Sequence, residues 1–481
     1  MRKHIHYAAA VLVAVLLATP MFAARGTANF SNFVALGDSY GAGFTGGSLN
    51  ERHQVWSWPA VIARQAGLQF CAPGAAAAVQ CFAQPLVSFP GIGPELQLTS
   101  VIPSPVITAA PGQGQPLLLN FGRPYNNLSI PGATVGALLS LTGAEPQTPN
   151  EPTAVSMGRF ILRGLGTPVQ QAIAQHPTFI ALWIGGNDYL SVMFSGNPAT
   201  ITPAADFRVR YEALLNALVA GAPNAGMVVG NLPAAIPPYL ALVPAYLVNP
   251  TNGQPVLIEG NRIYYMVDTG NGTQAPIAPT TLVPLQTRTK LAQGYGLPGF
   301  LKAHPLFASL PHVGEPLTQD DVLTQEEIQQ VFTRVAEYNA IIQQLAAARD
   351  IPVADINGLF QRVSAPGGVH LGPITVTSAP VSGGFFGFDF FHLTDLGYLM
   401  FGNEYIRTIN QAYDTEIPLA SISQLFANNG AFFGDGAPGA ADNLTFNGNN
   451  KGITTSALNQ ILTFWSQPTI KTTTRFRGVR H

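Results

Sequence analysis

The stretch FVALGDSYGAG, residues 33–43, joins a short apolar strand pattern to a GxSxG motif almost at the start of the chain. GxSxG is typical of a serine nucleophile held on a strand-to-helix turn. In the α/β-hydrolase fold, part of the oxyanion hole comes from a loop that precedes this serine, after an earlier strand. Once a signal peptide is removed, only about a dozen residues precede Ser39, so its strand is the first of the mature chain. The motif therefore predicts a nucleophile but argues against the α/β-hydrolase fold.

Residues 1–24 have the pattern of a secretory signal peptide. Arg2 and Lys3 precede an apolar run from Tyr7 to Leu17, and Pro20 and small residues follow it. An uncleaved anchor is disfavoured because the run is shorter than the roughly 20 residues that cross a bilayer. We therefore expect a secreted or periplasmic protein with no stable membrane insertion after cleavage.

The composition is that of a globular protein without a polyanion-binding surface. The 481 residues are 47% hydrophobic and 10% charged, with a formal net charge of -2. That length and hydrophobic fraction suffice for a large core. Because the charge forms neither a basic stripe nor an acidic tail, we expect no nucleic-acid partner.

Two cysteines, Cys71 and Cys81, lie close together in the part of the chain that would be exported. In an oxidising compartment such a pair most often closes a short disulfide loop, and two buried free thiols are the alternative. We expect no metal at this pair, because no histidine or further cysteine lies beside it at ligand spacing.

Strand and helix patterns alternate along the chain, which is typical of α/β proteins. The strands are apolar without polar alternation, which indicates a parallel sheet covered by helices on both faces. The predicted elements begin with a strand at 32–36, a helix from Pro59, a strand within 177–188 that ends at a glycine pair, a helix at 206–219 and a strand within 227–233. They continue with a helix whose capping box is Thr324 and Glu327, a strand at 351–356 and a final helix capped by Thr394.

Two segments rich in proline, glycine and apolar residues interrupt this alternation, at about 70–124 and 234–316. We interpret them as insertions into one domain that runs from 25 to 416, because both are too long for simple connections. Residues 417–481 form a C-terminal extension of unknown role. The stretch PPYLALVPAYLV, residues 237–248, is interpreted either as a lid or acyl-chain wall or, as more often for such runs, as core packing.

A serine nucleophile needs a general base, and His392 is the best candidate. The stretch DFFH places Asp389 three residues before it on a turn, so that the carboxylate reaches Nδ1 while Nε2 faces the serine. Asp395, three residues after His392, is a rival partner, although its place in the first helical turn is explained by the helix dipole. The histidines set aside, because no nearby acid is expected or because the residue is terminal, are His53, His176, His304, His312, His370 and His481.

Donors for a developing oxyanion are predicted at three strand ends. They are the backbone amides of Ser39 and Gly132 and the side-chain amide of Asn187 in GGND. Each also has a simpler interpretation as a turn residue. Their coincidence at strand ends favours the catalytic hypothesis, and Asp38 and Asp188 are interpreted as structural.

Four motifs occur here in a familiar order: GDSY near the amino end, a glycine closing an NxxxxxG segment, GxND, and DxxH near the carboxyl end. Each is weak alone, but in this order they resemble the SGNH or GDSL-type lipases and esterases, in their longer secreted bacterial form. The resemblance covers about 32–410. It implies an α/β fold, a three-layer α/β/α sandwich with a flavodoxin-like parallel sheet and long loop insertions.

The resemblance also implies a role for each motif residue. The implied roles are nucleophile for Ser39, base for His392, orienter for Asp389, and oxyanion donor for Ser39, Gly132 and Asn187. Phe390 and Phe391 depart from the small residue that the family often has before the histidine. We expect them to narrow the site or to contribute to an acyl pocket.

The function expected from these residues is a secreted serine esterase or lipase that forms an acyl-enzyme on an ester substrate, with no metal or cofactor required. One alternative keeps the chemistry and changes the substrate to acetylated polysaccharide. A second alternative is a carbohydrate-binding or surface-binding protein on the same fold, without turnover. An open groove would favour sugar esters, and a deep apolar pocket would favour acyl lipids.

Overall fold

The computed structural model describes residues 24–72, 74–100, 105–249, 254–270, 272–372 and 374–427. The expected signal peptide, apart from its last residue, lies outside this part of the chain, as do residues 428–481 of the C-terminal extension. Within the described ranges, no helix is both long enough and apolar enough to cross a membrane.

A parallel sheet of four strands forms the centre: β1 (Phe33–Gly37), β2 (Phe179–Trp183), β3 (Gly226–Gly230) and β4 (Val353–Ala354). The strands lie side by side in that order, and the first three are buried along their whole length. Residues buried on both faces of a sheet need apolar side chains on both, which is why these strands show no polar alternation.

An extended segment, residues 126–130, lies along the outer edge of β1. The amide of Ala35 donates to the carbonyl of Asn126. The amides of Leu128 and Ile130 donate to the carbonyls of Ala35 and Gly37, respectively. When the strands of this sheet are numbered along the chain, the segment is the second, and the order across the sheet is 2-1-3-4-5. This is the flavodoxin-like order. The predicted α/β sandwich with a flavodoxin-like sheet is confirmed.

Helices cover both faces of the sheet. On one face, α3 and α12 pack against each other, and on the other α8 packs against α4, α6 and α10. The helices are α1 (Ser39–Ala42), α2 (Glu51–Gln54), α3 (Trp58–Gln65), α4 (Val135–Ser140), α5 (Thr153–Leu162), α6 (Pro168–Ala174), α7 (Asn187–Ser195), α8 (Ala204–Gly221), α9 (Arg288–Ala292), α10 (Gln325–Ala347), α11 (Ile356–Ser364), α12 (Asp395–Tyr413) and α13 (Ile422–Ala427). Short 3-10 turns lie at Pro198–Thr200, Pro238–Ala241, Leu285–Thr287, Gly299–Ala303 and Gln319–Asp321.

The capping residues predicted from sequence lie where expected. Thr324 and Glu327 form a reciprocal capping box at the start of α10, and Thr394 Oγ1 accepts the amide of Gly397 at 2.9 Å to begin α12. The short helix α13 follows α12, so the helix at Thr394 is not the last one.

The two insertions contain strands that the sequence patterns did not predict. Antiparallel hairpins in the insertions pair Leu96–Ser100 with Val106–Ala109, Leu257–Ile258 with Asn261–Arg262, and Met266–Gly270 with Thr273–Pro276. A further hairpin, outside both insertions, pairs Val369–Leu371 with Ile374–Val376. The turn at Glu259 and Gly260 has positive φ at both residues, as a two-residue hairpin requires. Because such strands are short and half-exposed, their periodicity is weak.

The second insertion has an apolar cluster of its own. Ile263, Tyr265, Val283, Leu297 and Leu317 are among its buried members. In the first insertion, Cys71 and Cys81 form a disulfide, with Cα atoms 5.0 Å apart.

Candidate active site

Ser39 lies where β1 ends and α1 begins. Asp38 caps this helix, its Oδ1 accepting the amide of Tyr40 at 3.0 Å. A Cβ at Gly37 would lie 2.8 Å from the carbonyl oxygen of Trp183, and one at Gly41 would lie 2.2 Å from Ser129 Oγ. The flanking glycines of the motif thus let the turn approach neighbouring segments closely, and Ser39 is left 8% exposed.

The Asp389 carboxylate is fixed by four donors. Its Oδ2 lies 2.8 Å from Nδ1 of His392 and accepts the amide of Gly47 at 2.8 Å. Its Oδ1 accepts the amides of Phe391 at 3.0 Å and His392 at 2.8 Å. Burial would raise the pKa of Asp389, but the His392 charge and these hydrogen bonds outweigh it and lower the pKa. A charged Asp389 therefore holds the imidazole by Nδ1 and leaves Nε2 for chemistry.

The loop that carries His392 is held on both sides. Phe44 packs on the imidazole with ring centroids 4.7 Å apart, and Phe391 meets it edge-on at 5.0 Å. Tyr40 donates its hydroxyl to the carbonyl of Phe391 at 2.8 Å, so the residue after the serine is tied to the residue before the histidine. These contacts fix the position of the histidine relative to the nucleophile turn.

Gly132 and Asn187 lie at the carboxyl ends of the extended segment 126–130 and of β2. Gly132 has φ of 82°, a conformation that favours glycine, and a Cβ there would lie 3.1 Å from the amide nitrogen of Ala154. Asn187 donates one side-chain N–H to the carbonyl of Ala133 at 2.9 Å. Since a carboxamide has two N–H donors, this bond orients the second one.

One open cleft of about 330 Å³ brings the five candidate residues together. Its remaining walls are mostly apolar, which is typical of a binding site with a few convergent polar groups. The residues that line it are Ser39, Phe44, Gly47, Pro131, Gly132, Thr153, Asn187, Phe194, Tyr239, Asp389, Phe391 and His392.

A family model described as GDSL-like lipase/acylhydrolase matches residues 33–405, which is most of the chain and includes every residue of this cleft. The chain belongs to the GDSL-like lipase/acylhydrolase family. Membership of this family supports an ester hydrolase.

Several solved structures are similar to this GDSL-family chain at low identity. A phospholipase A1 from Streptomyces albidoflavus NA297 is 15% identical, with a TM-score of 0.32 over 81% of this chain and 100% of that one. An extracellular lipase from Streptomyces rimosus is 12% identical, with a TM-score of 0.32 over 79% and 98%. A family 3 carbohydrate esterase from Clostridium thermocellum is 12% identical, with a TM-score of 0.30 over 79% and 96%. No curated protein matches the chain.

Asp395, the rival partner for His392, pairs with a different histidine in this GDSL-family protein. Its Oδ1 lies 2.9 Å from Nδ1 of His53, and Glu95 Oε2 lies 3.4 Å from Nε2 of the same ring. All three side chains are fully buried. Burial lowers the pKa of His53, but the two carboxylates outweigh it and raise the pKa to about 10. This cluster could not be predicted from local sequence, because 342 residues separate His53 from Asp395.

The expectation that no acid lies near His312 is wrong. Glu315, three residues later, places Oε1 3.1 Å from Nδ1 of His312, and the imidazole stacks on Tyr295. The pair is partly exposed within the second insertion, and neither residue lines the cleft.

Asp38 and Asp188, next to the serine and asparagine of the GDSL-family motifs, make contacts with the backbone. Asp188 Oδ2 accepts the amide of Val135 at 2.9 Å at the start of α4. Burial raises the pKa of Asp188 to about 6 and that of Asp38 to about 8. These contacts agree with the structural roles expected for both residues.

Aromatic side chains from three segments form one wall of the cleft. Phe194 contacts Tyr239 edge-on at 5.7 Å and Phe391 at 5.5 Å. The amide of Tyr239 donates to the carbonyl of Phe390 at 3.0 Å, which joins the stretch 237–248 to the histidine loop. Tyr239 is the residue of this stretch that lines the cleft, and Phe391 lines it while Phe390 does not.

Within the described ranges, no group of three or more histidine, cysteine, aspartate or glutamate side chains is arranged to hold a metal ion.

Proposed function

We propose that this protein is a secreted serine esterase that hydrolyses carboxylic esters through Ser39, His392 and Asp389. The observation that carries the proposal is the convergence of these residues with Gly132 and Asn187 on one cleft. Nucleophile, base, base-orienting carboxylate and oxyanion donors are the parts that acyl transfer needs.

In the first step, Ser39 Oγ attacks the ester carbonyl carbon and its proton passes to His392 Nε2. The imidazolium that forms is stabilised by Asp389, which stays ionised because its pKa is lowered. The negative charge on the carbonyl oxygen is met by the amides of Ser39 and Gly132 and by the second side-chain N–H of Asn187.

The tetrahedral intermediate then collapses. His392 gives its proton to the leaving oxygen, the alcohol departs, and the acyl group stays on Ser39. His392 then takes a proton from water, whose oxygen attacks the acyl carbon. The carboxylic acid is released when the bond to Ser39 Oγ breaks and His392 returns the proton to that oxygen. The proposed chemistry uses side chains and backbone amides of this chain and needs no cofactor.

We further propose that the chain is exported by cleavage near residue 24 and that residues 25–416 form the hydrolase domain. The disulfide between Cys71 and Cys81 supports an oxidising compartment.

Turnover of p-nitrophenyl esters from acetate to palmitate by the mature protein and by Ser39→Ala tests the proposal. Hydrolysis by the first and none by the second is the expected result. Equal hydrolysis by both would place the nucleophile elsewhere, and ligand binding without any turnover would favour the binding-protein alternative.

A further inference from the structure

Two cavities meet at the candidate nucleophile. One is the open cleft of about 330 Å³, and the other is an inner pocket of about 20 Å³. Ser39, Asn187 and Phe391 line both cavities. Any acyl group attached to Ser39 therefore lies at the junction of a large space and a very small one.

The inner pocket is mainly apolar, and its size limits what it can hold. Trp183, Leu190, Phe360 and Phe386 contribute to its walls. A volume of this size accommodates about one water molecule, which is also about the size of one methyl group. Asp38 is the acidic group in the wall, and because burial raises its pKa to about 8, the wall carries little charge at neutral pH.

The position of His392 decides which part of the ester enters which cavity. His392 must give a proton to the leaving oxygen, so that oxygen has to lie beside its imidazole. His392 lines the open cleft and not the inner pocket. The alcohol part of the ester therefore extends into the open cleft, and the inner pocket remains for the acyl part.

We propose, building on the esterase function above, that the inner pocket is the acyl site and that it restricts the enzyme to acetyl esters. Phe391 is the specificity-determining residue that separates the two cavities. The carbonyl carbon bonds to Ser39 Oγ, its methyl group fills the inner pocket, and the products are acetate and the free alcohol. The open cleft accepts alcohols of widely different size.

Phe391 is held too firmly to move aside for a longer chain. Its amide donates to Asp389 Oδ1 at 3.0 Å, and its carbonyl accepts the Tyr40 hydroxyl at 2.8 Å. Its ring packs between Phe194 at 5.5 Å and His392 at 5.0 Å. Rotation of this side chain would break its packing against Phe194 and His392, so entry of a butyryl group would disturb the imidazole that acts as the base.

The test compares kcat/KM for p-nitrophenyl acetate, butyrate and octanoate, which share one leaving group. For the unaltered enzyme we expect acetate to exceed butyrate by about 10-fold or more, since one misplaced methylene commonly changes kcat/KM by about that much. Leu190→Ala enlarges only the inner pocket, because Leu190 does not line the cleft. We expect it to raise the butyrate-to-acetate ratio by about 10-fold or more.

Two further variants serve as controls. Thr153→Ala enlarges only the open cleft and should leave the butyrate-to-acetate ratio within about 2-fold of that of the unaltered enzyme. Ala235→Leu fills the inner pocket and should lower kcat/KM for acetate by about 10-fold or more. The first comparison needs no variant, so the test stands even where a substitution prevents folding.

The two proposals fail in different ways. If the unaltered enzyme hydrolyses octanoate as fast as acetate, or if Thr153→Ala rather than Leu190→Ala changes the ratio, the acyl assignment is wrong while the esterase function stands. If no ester is hydrolysed and a fluorophosphonate does not react with Ser39, the esterase function is wrong and the acyl assignment falls with it.

Discussion

Two histidine–aspartate pairs in this molecule have almost the same geometry and very different surroundings. Nδ1 of His392 lies 2.8 Å from Asp389, and Nδ1 of His53 lies 2.9 Å from Asp395. The side chains of the first pair are 14% and 13% exposed, whereas those of the second are 0% exposed. The contact that identifies a base and its orienting acid is thus also present away from the cleft.

What distinguishes the pairs is the environment of Nε2. In His53, Nε2 lies 3.4 Å from Glu95, so the imidazole joins two buried carboxylates and reaches no cavity beside Ser39. In His392, the imidazole lines the cleft that contains Ser39. A histidine–carboxylate hydrogen bond is therefore weak evidence of catalysis until the second nitrogen is located.

The largest expected effect is on turnover. His392→Ala should lower kcat by about 10⁴-fold or more, because it removes the base and the acid of both half-reactions. Its effect on stability should be small, since Asp389 keeps three backbone donors and remains near the surface. Ester kinetics and thermal unfolding of the same preparation check both parts.

His312→Ala is the matched control, because it also removes a histidine paired with an acid but lies outside the cleft. It should change kcat by less than about 2-fold, since neither His312 nor Glu315 lines the cleft. Equal losses in the two variants would contradict the assignment of His392.

The reverse pattern is expected for His53→Ala. Removing the imidazole leaves Asp395 and Glu95 as buried carboxylates without their shared cation, which commonly costs about 3–5 kcal/mol of unfolding free energy. The fraction that folds should hydrolyse esters at nearly the normal kcat. Denaturant unfolding combined with active-site titration separates the two quantities, and a stable but inactive protein would overturn the structural role of this pair.

A smaller loss of turnover is expected at the oxyanion site. Asn187→Ala removes one donor and leaves the backbone amides of Ser39 and Gly132, so kcat should fall by about 10²–10³-fold. Single-turnover kinetics should show the loss in the acylation step. An unchanged acylation rate would mean that the Asn187 side chain only holds the carbonyl of Ala133.

The buried pair should also make stability depend on pH. The pKa of His53 is raised to about 10 in the folded protein and is about 6.5 when unfolded, so the stability that this group contributes is complete below pH 6.5. It should be lost gradually between pH 6.5 and 10. Unfolding free energies of the unaltered protein and His53→Gln should therefore converge over this range, and a constant difference would contradict the raised pKa.

Much of the fold and of the site could be predicted from local sequence. The strand before Ser39, the capping box at Thr324 and the spacing of Asp389 and His392 are patterns within a few residues. The stretch NNLSIPGATV predicts Gly132 as an oxyanion donor because a glycine lets a backbone amide approach closely, and the order of the GDSL-family motifs implies the same role. Each of these features depends on short-range geometry that sequence records directly.

The remaining features depend on contacts between distant segments. The pair of His53 and Asp395 links two helices that lie far apart in the chain, and nothing near either residue indicates the other. The inner pocket has walls from β2, α7 and α11 and from the turn that carries Asp38. Its size results from how these segments pack, which sequence periodicity does not specify.

Covalent labelling tests the central claim most directly. The purified protein would be treated with a fluorophosphonate, which reacts with activated serines, and the adduct would be located by peptide mass spectrometry. The account predicts one adduct, on Ser39, formed by the unaltered protein and by His53→Gln but not by His392→Ala. An adduct on another serine, or equal labelling of His392→Ala, would contradict the assignment of Ser39 and His392 as nucleophile and base.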